Sequence, residues 1–207
     1  MSTRAEVLEL AILGQLGSAP MHGYELRRQL SAQLGAFRTL SYGSLYPALR
    51  RLTEAGLIAE APTASLPHPL AGRRGRIVYE LTPAGRERLA ATLATADPAA
   101  WEDEAFDVRF TLFATTDART RLRILEGRHA RMVERLSLLR ESTQRTRERM
   151  DAYTAELARH GLEQVEREVE WLENLIDTER GTPGALDMRT PGPAGDPPAP
   201  PTHKEQE

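Results

Sequence analysis

The sequence predicts a mainly α-helical chain carrying one small β-hairpin. Three observations predict it. Apolar residues recur at spacings of three and four through most of the chain, the period of amphipathic helices. Only two short runs, Leu57–Glu60 and Arg76–Leu81, have strand character, and residues 61–75 between them hold Pro62, Pro67, Pro69, Gly72 and Gly75. Beyond Leu122 the three-four spacing continues as a heptad pattern, the mark of helices that pair along a seam.

Residues 4–17 read as the first helix, with Leu8, Ile12 and Leu16 in one row, Val7 and Ala11 beside it, and Gly17 as its end. After Ser18-Ala19-Pro20, a second helix opens at Met21-His22-Gly23 and keeps Leu26, Leu30 and Leu34 on one face, with Gly35 closing it. His22 has no second His or carboxylate pair at ligand spacing, so it reads as a helix-start residue, not a metal ligand.

The third helix, within Ser41–Gly56, organises this half. Leu45, Ala48, Leu49, Leu52 and Ala55 form an apolar stripe, while Tyr46, Arg50, Arg51 and Glu54 fall away from it. Ser41 or Ser44 is the expected N-cap, Pro47 belongs in a first turn where it costs little, and Gly56 supplies the stop. Hydroxyls, a phenol and two guanidinium groups on one helix face suit a nucleic-acid groove. The plainer alternative is a surface helix whose arginines are merely solvated.

Three helices, a strand, a loop and a strand follow the order of a winged helix-turn-helix, with a two-stranded wing whose tip holds Arg73, Arg74 and Arg76. Arginines on a hairpin tip are placed to reach phosphates or a minor groove. Thr82 as N-cap and Pro83 at the first helical position start a fourth helix. Asp97-Pro98 marks a boundary, giving units at 1–96 and 97–180, and a tail at 181–207 with seven of the fourteen prolines that reads as disordered.

Charge follows the same division. Residues 1–94 carry eleven Arg against seven Asp+Glu (+4), and residues 95–207 carry sixteen Lys+Arg against twenty-three Asp+Glu (-7), summing to the net -3. There is no cysteine, no apolar run long enough for a membrane span and no leader pattern, so a cytoplasmic protein without membrane association is expected. Neither a metalloprotease, phosphate-loop or nucleophile-elbow motif nor a cysteine metal site occurs, so no enzyme, cofactor or metal is expected.

Helical character resumes with Trp101, Phe106, Phe110 and Phe113, expected on one helix after the acidic start Glu102-Asp103-Glu104, and Asp117 can cap the next helix. There Leu122, Leu125, His129, Met132, Leu136, Leu139, Thr143, Thr146, Met150, Tyr153 and Leu157 alternate spacings of three and four without a break. After Gly161 a second helix repeats the pattern through Leu162, Val165, Val169, Leu172 and Ile176. Such helices can pair within one chain or across a dimer.

The motifs MHGYEL, SLYPALRRLTEAGLI and GRRGRIVYELTPAGRERL strongly resemble the PadR family of bacterial transcriptional regulators, densely over residues 5–90. The wing loop is longer and richer in proline than that family's pattern. Residues 101–180 are similar to the helical C-terminal domain of its longer members, a dimerisation domain. The resemblance implies a homodimer that binds a palindromic operator in double-stranded DNA, usually as a repressor, often under a small-molecule inducer. The expected DNA-binding residues are Ser41, Tyr42, Ser44, Tyr46, Arg50, Arg51, Arg73, Arg74 and Arg76. Trp101, Phe106 and Phe110 are the candidate effector-binding residues, against ordinary core packing. The rival reading is a winged helix used as a protein-interaction or scaffold module with no specific DNA target.

Overall fold

The computed structural model describes residues 4–33, 42–61, 77–146 and 150–181. Its elements are α1 (Arg4–Ser18), β1 (Met21–His22), α2 (Gly23–Gln33), α3 (Tyr42–Glu54), β2 (Ile58–Ala61), β3 (Val78–Leu81), α4 (Pro83–Leu93), α5 (Asp103–Thr111), α6 (Ala118–Thr146) and α7 (Ala152–Gly181). Single 3-10 turns stand at Pro98–Trp101 and Phe113–Thr115. Among the described residues no helix is long and apolar enough to cross a membrane. Gly35 and the proline-rich tail lie outside the described residues.

Two hydrophobic cores organise the described residues. The first gathers Leu8, Ile12 and Leu16 of α1, Leu26 and Leu30 of α2, Leu45, Leu49 and Leu52 of α3, and Ile58, Tyr79 and Leu81 of the sheet. Each aliphatic side chain buried this way stabilises by about 1.5–3 kcal/mol, before the entropy of ordering it. Leu10 and Leu13 are buried too, so α1 is covered on more sides than a single stripe requires. The second core holds Phe106, Phe113, Ile124, Leu125, Met132, Leu172 and Ile176.

The expected two-stranded wing is a three-stranded antiparallel sheet in the order β1-β3-β2. Met21 pairs with Tyr79 and His22 with Val78, while Ile58–Ala61 pairs with Leu81–Val78 on the other side. His22 is therefore a strand residue, not the start of a helix. Without β1 the outer edge of β3 would present unpaired backbone groups; two extended residues after Pro20 satisfy them.

The caps of the N-terminal half are as the residues dictate. Gly56 at φ 69° ends α3. Leu57 N–H donates to Leu52 C=O at 2.9 Å and Gly56 N–H to Thr53 C=O at 3.0 Å, the paired bonds of a Schellman motif. Thr82 caps α4 by accepting from Gly85 N–H at 3.0 Å, with Pro83 at the first helical position.

Two expectations about helix ends fail. Pro47 lies inside α3 as its sixth residue, counting from Tyr42, so the helix forgoes one bond to the Gly43 carbonyl. Ser44 accordingly stands within the first turn, not at the cap. In the second half, the heptad run does not form one helix to Leu157. α6 ends at Thr146, and Asp151 caps α7 by accepting from the N–H groups of Tyr153 at 2.9 Å and Thr154 at 3.0 Å. α7 then runs through Gly161 without a stop.

α6 and α7 fold back on each other as an antiparallel hairpin within one chain. The side-chain pairs Arg121–Glu179, His129–Glu173 and Arg140–Glu166 descend along α7 as they climb α6. Leu125, Met132, Leu136, Val165, Leu172 and Ile176 fill the seam, whereas Tyr153 and Leu157, expected on it, are 89% and 71% exposed.

Candidate nucleic-acid interface

α3 is held from its buried side. Leu45, Ala48, Leu49 and Leu52 are at most 2% exposed, and Ser44, Pro47, Arg50, Arg51 and Glu54 form the exposed stripe opposite. The Schellman turn after α3 is gripped in turn by α4. Thr82 N–H donates to Leu57 C=O at 3.1 Å, and the Thr82 hydroxyl lies 2.7 Å from the Gly56 carbonyl and 3.0 Å from that of Leu57. Helix, turn and sheet therefore form one unit, and a group presented by α3 is presented in a fixed orientation.

The candidate residues separate on this frame. Ser44 and Arg50 are exposed on α3. Tyr42 is the first residue of α3. Tyr46 is half-buried against the first core, its ring edge beside Gly23 at the start of α2. Its phenol also bears on Tyr79, whose own phenol is held above the usual range by burial first, then by Glu60 and Tyr46. Arg51 is engaged inside the chain: its Nε donates to Glu9 Oε1 of α1 at 3.1 Å. Glu9, a partner with no signature in the local sequence, therefore competes with a phosphate for this half-exposed guanidinium. Ser41, Arg73, Arg74 and Arg76 lie outside the described residues. The strands that carry the 62–76 segment are described, and Ala61 paired with Val78 is its base.

The candidate effector aromatics do not share one helix. Trp101 ends a 3-10 turn, Phe106 and Phe110 belong to α5, and Phe113 starts the next turn, because the chain bends at Glu102 and Leu112. Phe106 and Phe113 are buried in the second core. Phe110 stacks on Phe106 at 5.8 Å between centroids and lies 5.2 Å from the Trp171 ring. Trp101 covers Gly127 of α6, where a Cβ would meet its ring at 2.5 Å. A cleft of about 500 Å³ lies nearby, between α1, α3, α4 and α5, with Leu10, Leu13 and Leu52 on its apolar wall and Glu6, Arg88 and Arg109 at its polar margins. None of the cleft residues was a candidate from spacing, since they come from elements far apart in sequence.

The model of the transcriptional regulator PadR-like family matches residues 12–91, the span from α1 through the sheet into α4. The negative transcriptional regulator PadR of Bacillus subtilis (strain 168) is 30% identical over 83 residues, which are 40% of this chain and 43% of that protein, so the match spans less than half of the relative's length. Among solved structures, Bacillus subtilis PadR in complex with operator DNA is similar at 23% identity and TM-score 0.38, covering 84% of this chain and 99% of that one. The same protein in complex with p-coumaric acid is similar at 22% and 0.38, with the same coverage. The Vibrio cholerae virulence activator AphA is similar at 19% and 0.36, over 84% of this chain and 98% of that one. Over residues 12–91, most of the winged helix that the first four helices and the sheet build, the chain matches the PadR-like family of transcriptional regulators.

Proposed function

We propose that this protein binds a specific sequence in double-stranded DNA as a homodimer and represses transcription from a palindromic operator. The observation that carries the reading is the exposed stripe of α3, with Ser44 and Arg50 on a helix whose other side is locked into the core. Residues 1–96 act as the DNA-binding domain and residues 97–180 as the dimerisation domain. In the major groove the start of α3, with Ser41, Tyr42 and Ser44, reads base edges, and Arg50 contacts base or phosphate. Arg73, Arg74 and Arg76 on the wing contact the backbone, where charge matters more than shape.

Dimerisation has support in unburied apolar surface. Leu138, Tyr153 and Leu157 are 59%, 89% and 71% exposed near the turn of the hairpin, more than single scattered residues would lead one to expect of a lone chain. Light scattering after gel filtration should give twice the 23.0 kDa chain mass. A small aromatic effector has two sites open to it: a space opened among Trp101, Phe106 and Phe110, or the cleft beside α1 and α5 that is already formed.

The test is enrichment from a random duplex library with the full chain, followed by affinity on the enriched duplex at several salt concentrations. The expected result is one palindromic motif and a steep linear fall of log affinity with log salt. Binding with no sequence preference, or none at all, contradicts the reading and favours an interaction module.

A further inference from the structure

The segment joining the winged helix to the hairpin is not built as a linker. α5 seats in both cores at once. Val108 is 2% exposed in the first core, and Leu112 presses on α1 so closely that a Cβ on Gly14 would meet its Cδ2 at 2.6 Å. Phe106, on another side of the same helix, is 2% exposed in the second core.

Buried guanidinium groups pin each end of this helix. Arg109, 6% exposed, donates to the carbonyls of Thr92 at 3.1 Å and Thr95 at 2.8 Å, where α4 ends. Arg128 of α6, 5% exposed, donates to Asp103 at the start of α5 and to Glu168 of α7 at 2.9 Å, with its guanidinium 5.2 Å from the Phe106 ring centre. Moving α5 against either neighbour strips partners from a buried cation, which is far costlier than breaking a surface pair. Elements so joined move as one body.

In a dimer this has a geometric consequence. Each base pair inserted between two half-sites turns one against the other by about a tenth of a turn. Reading heads on soft linkers follow that rotation; heads fixed to the hairpin cannot. We propose that Arg109 and Arg128 are positioning residues that fix the separation and rotation of the two α3 helices, and so set the half-site spacing this protein accepts. The proposal rests on the DNA-binding dimer described above.

The chain contains no cysteine, so a single introduced one is labelled cleanly. Pulsed dipolar distances between spin labels at Glu87→Cys, exposed on α4, report the separation of the two winged helices. Labels at Glu134→Cys, exposed on α6, report the hairpins. Both would be measured in the otherwise native chain and with Arg109→Met or Arg128→Met. Asp103→Asn, whose side chain is 59% exposed, serves where a Met variant fails to fold. Affinity would be measured on the enriched duplex and on versions with one or two base pairs inserted at its centre.

The native arrangement should give one narrow Glu87 distance and lose about tenfold or more in affinity per inserted pair. The variants should broaden the Glu87 distance, keep the Glu134 distance and lose less than about threefold per insertion. A broad native Glu87 distance, or a narrow distance and unchanged insertion penalty in the folded variants, overturns the proposal while leaving DNA binding intact. A native chain that enriches no duplex or yields no distance between protomers removes the function reading and this proposal together.

Discussion

Gly85 of α4 stands against the backbone carbonyl of Leu57, so close that a Cβ on Gly85 would lie 2.0 Å from that oxygen. Leu57 follows the Schellman turn of α3, and its carbonyl also accepts from Thr82 N–H at 3.1 Å. The absence of one methyl group therefore lets α4 dock on the turn that positions α3.

Gly85→Ala should cost about 3 kcal/mol of stability in chemical unfolding, because the obstacle is backbone and cannot rotate away. Gly161→Ala is the control. It lies inside α7 with nothing within 4 Å of an added Cβ, so it should stabilise by about 0.5–1 kcal/mol. Equal effects of the two substitutions would contradict the docking described here.

Arg121 and Glu179 form a buried ion pair across the base of the hairpin, with bonds of 3.0 and 3.1 Å and side chains 8% and 3% exposed. Arg121 also donates to the carbonyls of Phe113 at 3.2 Å and Thr116 at 2.9 Å. Arg121→Met alone strands a buried carboxylate and should cost about 3–5 kcal/mol. The double variant with Glu179→Leu should cost less than that single one, a coupling read from a double-mutant cycle by urea unfolding. Additive losses would show that the two charges do not depend on each other.

Asp103 gives a pH signature. Burial pushes its carboxyl up, but the hydrogen bond and charge of Arg128, with Arg135 and Arg131 behind, outweigh burial and hold it below the ordinary 3.8. A carboxyl lowered in the folded state contributes stability above its unfolded pKa and loses it as pH falls through the folded value. The Tm difference between the native chain and Asp103→Asn should thus be constant from about pH 7 to 5 and begin to shrink below about pH 4, as pH falls toward the lowered folded value. A difference that does not shrink at all below about pH 4 would assign the effect to something other than charge.

Much of the winged helix was legible in the residues, since local chemistry decides it. The stripe of Leu45, Ala48, Leu49 and Leu52, the stop at Gly56 and the Thr82-Pro83 cap each act within a few positions. β1 was not legible, because two residues show no period and Met21–His22 is a strand only through β3. The three-four spacing from Leu122 to Leu157 marks one side of a helix and is blind to a chain reversal, which Asp151 enforces by capping a new start. At the interface, spacing placed Arg50 and Arg51 alike on a polar face, but only the packing of α1 brings Glu9 to Arg51. Arg109, Arg121 and Arg128 were invisible for a related reason: composition treats arginine as surface, and burial came from elements far away in sequence.

The affinity of Ser44→Ala and Arg50→Ala on the enriched duplex and on a scrambled one, at two salt concentrations, tests most directly whether α3 reads sequence. At least one variant should lose about 1–3 kcal/mol on the enriched duplex and much less on the scrambled one, while Arg74→Ala weakens both about equally and lowers the salt slope by about one. Arg74→Ala losing discrimination while both α3 variants keep it would contradict the assignment of α3 as the reader.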